Sequence, residues 1–487
     1  MKSREAVEAL VIGSGPGGSV TALELSRAGV EVLVLEEGGG FTLDEYGAPA
    51  PEAMKKLYRR RGMTPVTGPV PIGYVEGSCV GGSSEINCGF WLRASRETLQ
   101  GWESRSGLVH AGPDDLAPHY LWAEELLGVQ KAESWPMSTR LLARGVAAMG
   151  WASAEIPRAA GRCRNSNTCS SGCATGAKKG MSRTLIPLAQ AAGATVRPYC
   201  RAVKLIRDGT RIAGAVVRER RPGRPSEEFR VDARYVFVCA GPTETPSLLR
   251  RSGVRHNVGN SLGLHPMLKV VARFEEEVNA EDSVLPLIQV HEFWPEITLG
   301  GAFFSLGHLA LLLSENWPAN RDLMRFHRHM ASYYVAVRGT GRGGVRPAPL
   351  DPDGSMIFYK LSRQDLTNLS QGLARLSTVL LAGGAREVYA CVAGLPRIQS
   401  EAQAMTWLDR PLPRSALGLT TVHAFGSCPM GEPPHSCAAD SFGLVHGFTN
   451  LYLNDASMLP DSPGPGPQST IMAVARRNVT HFLEGRK

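Results

Sequence analysis

Residues 6 to 40 carry the pattern that most narrows what this chain can fold into. Ala6 to Ile12 is an apolar run with β character, and Gly13-Ser14-Gly15-Pro16-Gly17-Gly18 follows it directly. A helical pattern through Ala22, Leu25 and Ala28 comes next, and Gly29 stops it. Glu31 to Leu35 then forms a second strand that ends in Glu36-Glu37. Together these predict a β–α–β unit with GxGxxG at Gly13, Gly15 and Gly18. Gly13 allows the tight turn, Gly15 lets backbone approach a pyrophosphate, and Gly18 lets helix and strand close. The helix N-terminus offers free N–H groups and a positive dipole end to phosphates. Glu36 stands where a carboxylate can accept both ribose hydroxyls. The unit predicts a dinucleotide and leaves open whether it is FAD or NAD.

At 487 residues the chain suits two intimately joined domains. It is 43% hydrophobic and 20% charged, which excludes disordered, collagenous and coiled-coil classes and leaves a globular α/β or α+β protein. No apolar run approaches the ~20 residues needed to cross a bilayer. The opening MKSREAVEALVIG runs straight into a strand without the apolar core of a secretory signal. Ten cysteines are too sparse for a disulfide scaffold, so reduced thiols in a cytoplasmic protein are expected. The net charge of +8 gathers partly in Lys55 to Arg61 and Arg218 to Arg224. Neither run has a reading helix or interleaved aromatics, so solvated faces or loops are expected and nucleic acid is not. Attraction of an anionic partner stays open.

Three further stretches carry more. Gly77 to Asn87, with Gly82 and Ser83 inside it, is a long small-residue loop suited to backbone packed against a flat ring. Cys239-Ala240-Gly241-Pro242-Thr243-Glu244-Thr245-Pro246 follows the apolar strand Tyr235 to Val238 and turns into a short helix. The third runs from His423 to Gly431, then through Leu451 to Ser457, and closes with Pro467-Gln468-Ser469-Thr470 before a helix over Ile471 to Glu484.

With these stretches in order the chain resembles the glucose–methanol–choline (GMC) oxidoreductases, FAD-dependent alcohol oxidases and dehydrogenases. The likeness is weakest from about 275 to 350. It implies FAD with its adenine end on the 13–36 unit and its isoalloxazine near Gly82, Ser83 and Asn87. It also implies Val203 at the adenine through its backbone, Gly241 in the second motif, and Asn454, Asp455 and Ala456 along the diphosphate and ribityl chain. Some members link FAD through a histidine in the GGSSxIN loop; Glu85 and Ile86 stand there in this chain, so bound but unlinked flavin is expected.

Alcohol oxidation at a flavin needs a base within hydrogen-bond reach of the hydroxyl. Histidine suits the task because its pKa of about 6.5 lies near neutrality. The resemblance places His423 at the family's catalytic histidine. His327, His329 and His435 lie in polar runs and read as solvated or capping residues, and His265 reads as a marker of the crossover into the second domain. The family supplies a second polar group, Asn or His, four residues before the position of Thr470. Here that residue is Gly466. Gln468 or a substrate group takes over that role, or the pocket is enlarged for a bulky substrate.

Cys163, Cys169 and Cys173 are spaced C-x5-C-x3-C in a polar loop. Three thiolates from one loop make a soft-metal site, and the lack of a nearby fourth ligand argues against structural zinc. A [3Fe–4S] cluster needs only three cysteines. The spacing is similar to that of the iron–sulfur-carrying bacterial glucose and fructose dehydrogenases of this family. The CxxxCxxGxKKG portion also resembles the long-chain alcohol oxidases, for which the likeness implies FAD alone, and Arg164 stands where the cluster-bearing enzymes have an extra cysteine. A cluster, reduced thiols and a local disulfide all remain open. A cluster would give electrons a one-electron exit to an acceptor protein.

The expected architecture is a Rossmann-type FAD-binding domain interleaved with an α+β substrate domain built on an antiparallel sheet. The flavin domain takes residues 1–160, 181–262 and 412–487, with 161–180 as a cysteine-rich loop and 263–411 as substrate domain. Strands are predicted at Leu268 to Phe274 and Ser355 to Leu361. A buried helical stripe is predicted at Leu366, Leu369, Leu373, Leu376 and Leu380. Phe90, Trp91, Phe293 and Trp294 are candidate pocket aromatics. The expected function is oxidation of a CH–OH group of a larger small-molecule alcohol, such as a sugar, sterol or natural-product intermediate. An oxygen-using oxidase and a non-redox flavin lyase or binding protein are the alternatives.

Overall fold

A computed structural model describes residues 4–351 and 353–486. Arg4–Ile12, Pro16–Arg27 and Val32–Leu35 form the strand, helix and strand expected from the glycine pattern, with Gly29 in the left-handed region at φ 77°. The two strands pair in parallel, Ile12 opposite Leu35. On the other side of Arg4–Ile12 lies Glu227–Val238, also parallel, with Ile12 opposite Val238. The far edge of that long strand is shared. Its first half pairs antiparallel with Arg211–Glu219, and its last residues pair in parallel with Leu451–Leu453. Thr195–Arg197 and Cys200–Asp208 complete a seven-stranded sheet. The helix Gln468–Glu484 packs beside Pro16–Arg27 over this sheet, burying Met472, Ala475 and Val479 with Val20 and Leu23.

The second sheet has eleven strands and is mostly antiparallel. Its middle is Met267–Phe274, flanked by Met330–Val337 and Leu419–Thr421. Several of its strands come from ranges expected to belong to the flavin domain: Tyr58–Thr67, Ile72–Gly77, Ser153–Glu155 and Leu419–Thr421. The alternation of buried and exposed residues in Tyr58–Thr67 and Ile72–Gly77 is that of strands covered on one face, which suits an antiparallel sheet rather than the doubly covered parallel one.

The predicted leucine stripe lies on Arg363–Ala382, whose buried face packs on this sheet. The helix starts cleanly because the Ser362 side chain accepts from Asp365 N while Asp365 accepts from Ser362 N, each at 2.9 Å. Gly372 sits where a Cβ would meet Val335 Cγ1 at 2.2 Å, so the helix can approach the sheet closely there. Among the described residues no helix is long and apolar enough to cross a membrane.

Leu373 is fully buried between this helix and the sheet. Leu373→Ala is expected to cost about 2–5 kcal/mol, read as a lower thermal midpoint with flavin content per folded protein unchanged.

Candidate active site

Ile12, Leu35, Val238 and Leu453 end the parallel strands in mutual register, so the chain segments that follow them emerge at one edge of the sheet. Crevices at such carboxyl ends are where open α/β sheets bind ligands. Gly13 turns at φ 104°, and a Cβ there would lie 2.3 Å from Cys239 O. Gly15 caps the helix Pro16–Arg27 without a side-chain acceptor, and a Cβ at Gly15 would meet nothing within 4 Å. The helix N-terminus therefore opens onto free space with its N–H groups uncapped, which suits a pyrophosphate. Gly18 closes on Gly13 O, and Gly17 on Asn454 O.

Glu36 is buried at the end of its strand. One carboxylate oxygen accepts from Ser14 N and Oγ at 3.1 and 2.7 Å, the other from Gly38 N at 2.9 Å. Burial raises its pKa, helped by Glu37 and opposed by those hydrogen bonds. Val203 is the extra residue where the pairing of Cys200–Asp208 with Arg211–Glu219 shifts, so it stands outside the ladder. Asp455 accepts from Gly241 N at 2.9 Å and from Ser457 N at 2.7 Å, fastening the second and third sequence motifs together. Asn454 faces inward: its Nδ2 donates to Thr21 Oγ1 at 2.8 Å and to Ala475 O at 3.1 Å. Ala456 O accepts from Gly426 N at 3.1 Å, so the segment after His423 runs alongside.

The small-residue loop meets the phosphate end of this crevice. Gly81 N donates to Ser14 Oγ at 3.0 Å, and a Cβ on Gly82 would lie 2.9 Å from Gly15 Cα. Ser83 Oγ accepts from Gly77 N at 2.9 Å. Asn87 Nδ2 donates to Gln468 Oε1, so Gln468 is engaged with the loop rather than with His423.

Beside Glu36 the basic run departs from expectation. Arg59 is half-buried and pairs with Glu37 and Glu76, while Arg201 joins Glu37 to Glu244 and Asp353. Arg59 borders a cavity of about 300 Å³ lined in part by Tyr58, Ser78 and Asp353. Arg59 is drawn inward because three carboxylates face it; Arg61 is exposed, as the sequence suggested. Arg218 likewise pairs with Asp353, at 2.8 Å. Burial alone would raise the Glu37 carboxyl; Arg59 and Arg201 overcome it and hold the group at about 2.

His423 sits two residues after the second-sheet strand Leu419–Thr421 and directly before Ala424–Phe425, which pairs with Gly263–Leu264. Its Nδ1 is 3.1 Å from His265 Nδ1, with the rings crossed at 87°. A Cβ at Gly466 would lie 3.2 Å from its Nε2, so that nitrogen faces the gap the glycine leaves. Burial lowers its pKa to about 4. His265, read from sequence as a crossover marker, is buried against His423, and Ser462 closes the far side at 2.6 Å from its Nε2. Periodicity carried no signal for either residue, because the contact spans 158 positions. Of the candidate aromatics, Trp294 lies against this segment, since a Cβ at Gly464 would meet it at 2.9 Å. Trp91 is instead core, donating to Glu124 at 2.9 Å, and Phe90 packs in a satellite cluster with Leu285 and Leu287. Phe293 packs on Trp151 and under Arg375.

The cysteine loop does not converge on a metal position. Arg158 donates to Cys163 Sγ at 3.6 Å and to Cys169 Sγ at 3.5 Å, while Cys173 Sγ accepts from Lys178 N at 3.3 Å. Among the described residues no three His, Cys, Asp or Glu side chains gather as a metal site, and every cysteine is free. With a guanidinium on two of the thiols, this arrangement does not fit a three-cysteine cluster, and the local disulfide is not formed. Cys169 instead meets Cys88, which the sequence reading had not connected to the loop. The Cys88 hydrogen bond, with Lys178 and Arg158, outweighs burial and lowers the Cys169 thiol to about 5. Arg158 and Lys178 are buried without a carboxylate partner among the described residues. Lys178 Nζ is held by the carbonyls of Glu85, Asn87 and Cys169 at 2.6 to 2.8 Å.

The crevice, its acid and the loop that closes on it suit a dinucleotide, and comparison with known proteins identifies the class as a flavin-dependent oxidoreductase. The chain matches the FAD binding domain over residues 6–48 and GMC oxidoreductase over 54–267 and 339–475. It is 38% identical over 472 residues to a GMC-type oxidoreductase of Sinorhizobium fredii, covering 96% of this chain and 93% of that one. It is also 27% identical to a long-chain-alcohol oxidase of Arabidopsis thaliana, covering 96% of this chain and 66% of that protein. The fold is that of pyridoxine 4-oxidase from Mesorbium loti, with a TM-score of 0.73, 19% identity, and coverage of 98% and 99% of the two chains. The chain belongs to the GMC oxidoreductase family and is an FAD-dependent oxidising enzyme.

The carboxyl of Glu37 sits below its ordinary 4.5 in the folded protein. Its contribution to stability is therefore complete above pH 4.5 and is lost as pH falls toward 2. Thermal midpoints measured across that window are expected to fall less steeply in Glu37→Gln than in the parent.

Proposed function

We propose that this enzyme oxidises a CH–OH group carried by a larger molecule, with His423 taking the hydroxyl proton at Nε2. The reading is carried by the placement of that nitrogen: it faces the gap at Gly466, on a segment hydrogen-bonded along Ala456 to Met458. FAD held by Gly13, Gly15, Gly18, Glu36, Val203 and the Asn454 to Ala456 turn supplies the two-electron acceptor for the carbinol hydride. No histidine stands in the Gly82 to Asn87 loop, which supports a flavin held without a covalent link.

His423 is neutral at pH 7 because burial keeps its proton affinity low, so it enters the reaction ready to accept. Gly466 offers no side chain to share the alcohol oxygen. The space it leaves suits a substrate that brings its own polar group or bulk, and Trp294, which lies against Gly464, gives a flat apolar wall. The long-chain substrate in the Arabidopsis relative's name is consistent with a hydroxyl on an extended molecule.

Anaerobic mixing with a panel of primary and secondary alcohols, including sugars, sterols and long-chain alcohols, tests the reading by bleaching of the flavin. His423→Ala is expected to slow bleaching about 10²–10⁴-fold, the usual contribution of a positioned general base; an unchanged rate would remove His423 from the reaction. Because the base is active when unprotonated, kcat/KM is expected to hold level from pH 8 to 5 and to decline as pH falls through about 4. Admitting air to the bleached enzyme then separates an oxidase, which recolours rapidly, from a dehydrogenase that needs another acceptor.

A further inference from the structure

A neutral imidazole carries one proton on one of two nitrogens, and the hydrogen bond made by one nitrogen decides the state of the other. His423 therefore poses a question its own position does not answer. With the proton on Nε2 it would donate into the gap at Gly466; with the proton on Nδ1 its Nε2 is bare and can accept. Its Nδ1 lies 3.1 Å from His265 Nδ1, and no other side chain approaches that nitrogen within hydrogen-bond reach among the described residues.

His265 is held for this contact. Its ring is buried, its far nitrogen lies 2.6 Å from Ser462 Oγ, and its backbone N–H donates to His423 O at 3.4 Å. Thr421 Oγ1 lies 2.9 Å from His265 O and 3.0 Å from His423 O, so its one proton is shared between the two carbonyls and ties the backbones together. Ser462 is itself fixed, because its Oγ accepts from Gly464 N at 3.1 Å. A hydroxyl oxygen has two lone pairs, so it can also accept from His265 Nε2–H.

We propose that His265 is a positioning residue that sets the tautomer of His423, and that Ser462 orients it. This rests on reading His423 as the base. His423 donates from Nδ1–H to His265 Nδ1, and His265 donates from Nε2–H to Ser462 Oγ, which leaves His423 Nε2 bare toward the substrate. When His423 takes a proton at Nε2, its Nδ1 proton stays on that ring, hydrogen-bonded to His265, whose lone pair stabilises the imidazolium. The charged groups that bear on His265 are His423 and Arg338, and both, after burial itself, resist a second positive charge there. His265 is therefore the neutral acceptor of the pair in the resting enzyme. The opposite order, with Ser462 donating to His265, would place the proton on His423 Nε2 and turn the base into a donor.

The test needs no substrate for its first readout. FAD-loaded protein labelled with 15N-histidine at pH 7 is expected to show His423 protonated at Nδ1 and bare at Nε2. His265→Leu removes the acceptor, and His423 is then expected to divide between both tautomers. His265→Asn retains a polar atom near the position of ring Nδ1 and is expected to restore the parent signal. With an alcohol from the panel that bleaches the parent, His265→Leu is expected to slow bleaching about tenfold to a hundredfold, part of what a positioned base supplies. KM should stay within about threefold, and His265→Asn should recover most of the rate. Where the leucine variant melts early or loses flavin, His265→Gln replaces it, since its amide reaches toward Ser462 rather than His423. A resting His423 with its proton on Nε2, or a tautomer that neither variant alters, would overturn the proposal. Bleaching that survives His423→Ala defeats the base reading itself. Bleaching lost in His423→Ala but unchanged in His265→Leu defeats only the role of His265.

Discussion

Parallel pairing of Arg4–Ile12 with Val32–Leu35 on one side and Glu227–Val238 on the other is the constraint from which the site follows. A parallel ladder fixes where each strand ends relative to its neighbours, and here the ends coincide. The turn at Gly13, the acid at Glu36, the Gly241 turn and the Asn454 to Ala456 turn then have to share one edge. Their hydrogen bonds follow from that crowding. Asp455 satisfies Gly241 N, and Glu36 satisfies Ser14 and Gly38. Gly13, Gly17 and Gly18 are required because backbone from a neighbouring segment already occupies the space a Cβ would take.

How much of this the sequence revealed depends on how far apart the interacting parts lie. The first β–α–β unit is local, and its glycine spacing and strand patterns mark it residue by residue. The leucine stripe of Arg363–Ala382 is equally local, since its period of 3.6 is written in one segment. The membership of Tyr58–Thr67 in the second sheet is not, because a strand's pattern shows which face is covered and not which sheet covers it. Arg59 illustrates the same limit. In sequence it belongs to a cationic run, and only the fold brings Glu37, Glu76 and Glu244 to it. His265 and His423 meet across two strands paired as Gly263–Leu264 and Ala424–Phe425, a contact no periodicity encodes. The cysteine spacing suggested convergence, and the buried guanidinium of Arg158 directs two of the thiols otherwise.

Buried charge is handled in two different ways around the crevice. Around Glu37, Arg59 and Arg201 interlock with Glu37, Glu76, Glu244 and Asp353, so the cost of desolvation is offset by Coulomb attraction and hydrogen bonding. Beneath the Gly82 to Asn87 loop, Arg158 and Lys178 have only sulfur and carbonyl oxygen around them. Carbonyl dipoles and a lowered thiol are the compensation available there: the Cys88 hydrogen bond first, then Lys178 and Arg158, lower Cys169, whereas burial pushes up the thiols of Cys79, Cys239 and Cys428.

Leu419–Thr421 pairs with both Ile72–Gly77 and Met267–Phe274, and Met267 and Thr421 each lie two residues from a histidine of the pair. The two imidazoles thus sit just beyond the ends of adjoining strands of the second sheet, while the glycine crevice lies at the edge of the first. Replacing the second sheet with a foreign one would remove both histidines together, so on the proposed reading recognition and chemistry would be inherited as one unit rather than exchanged separately.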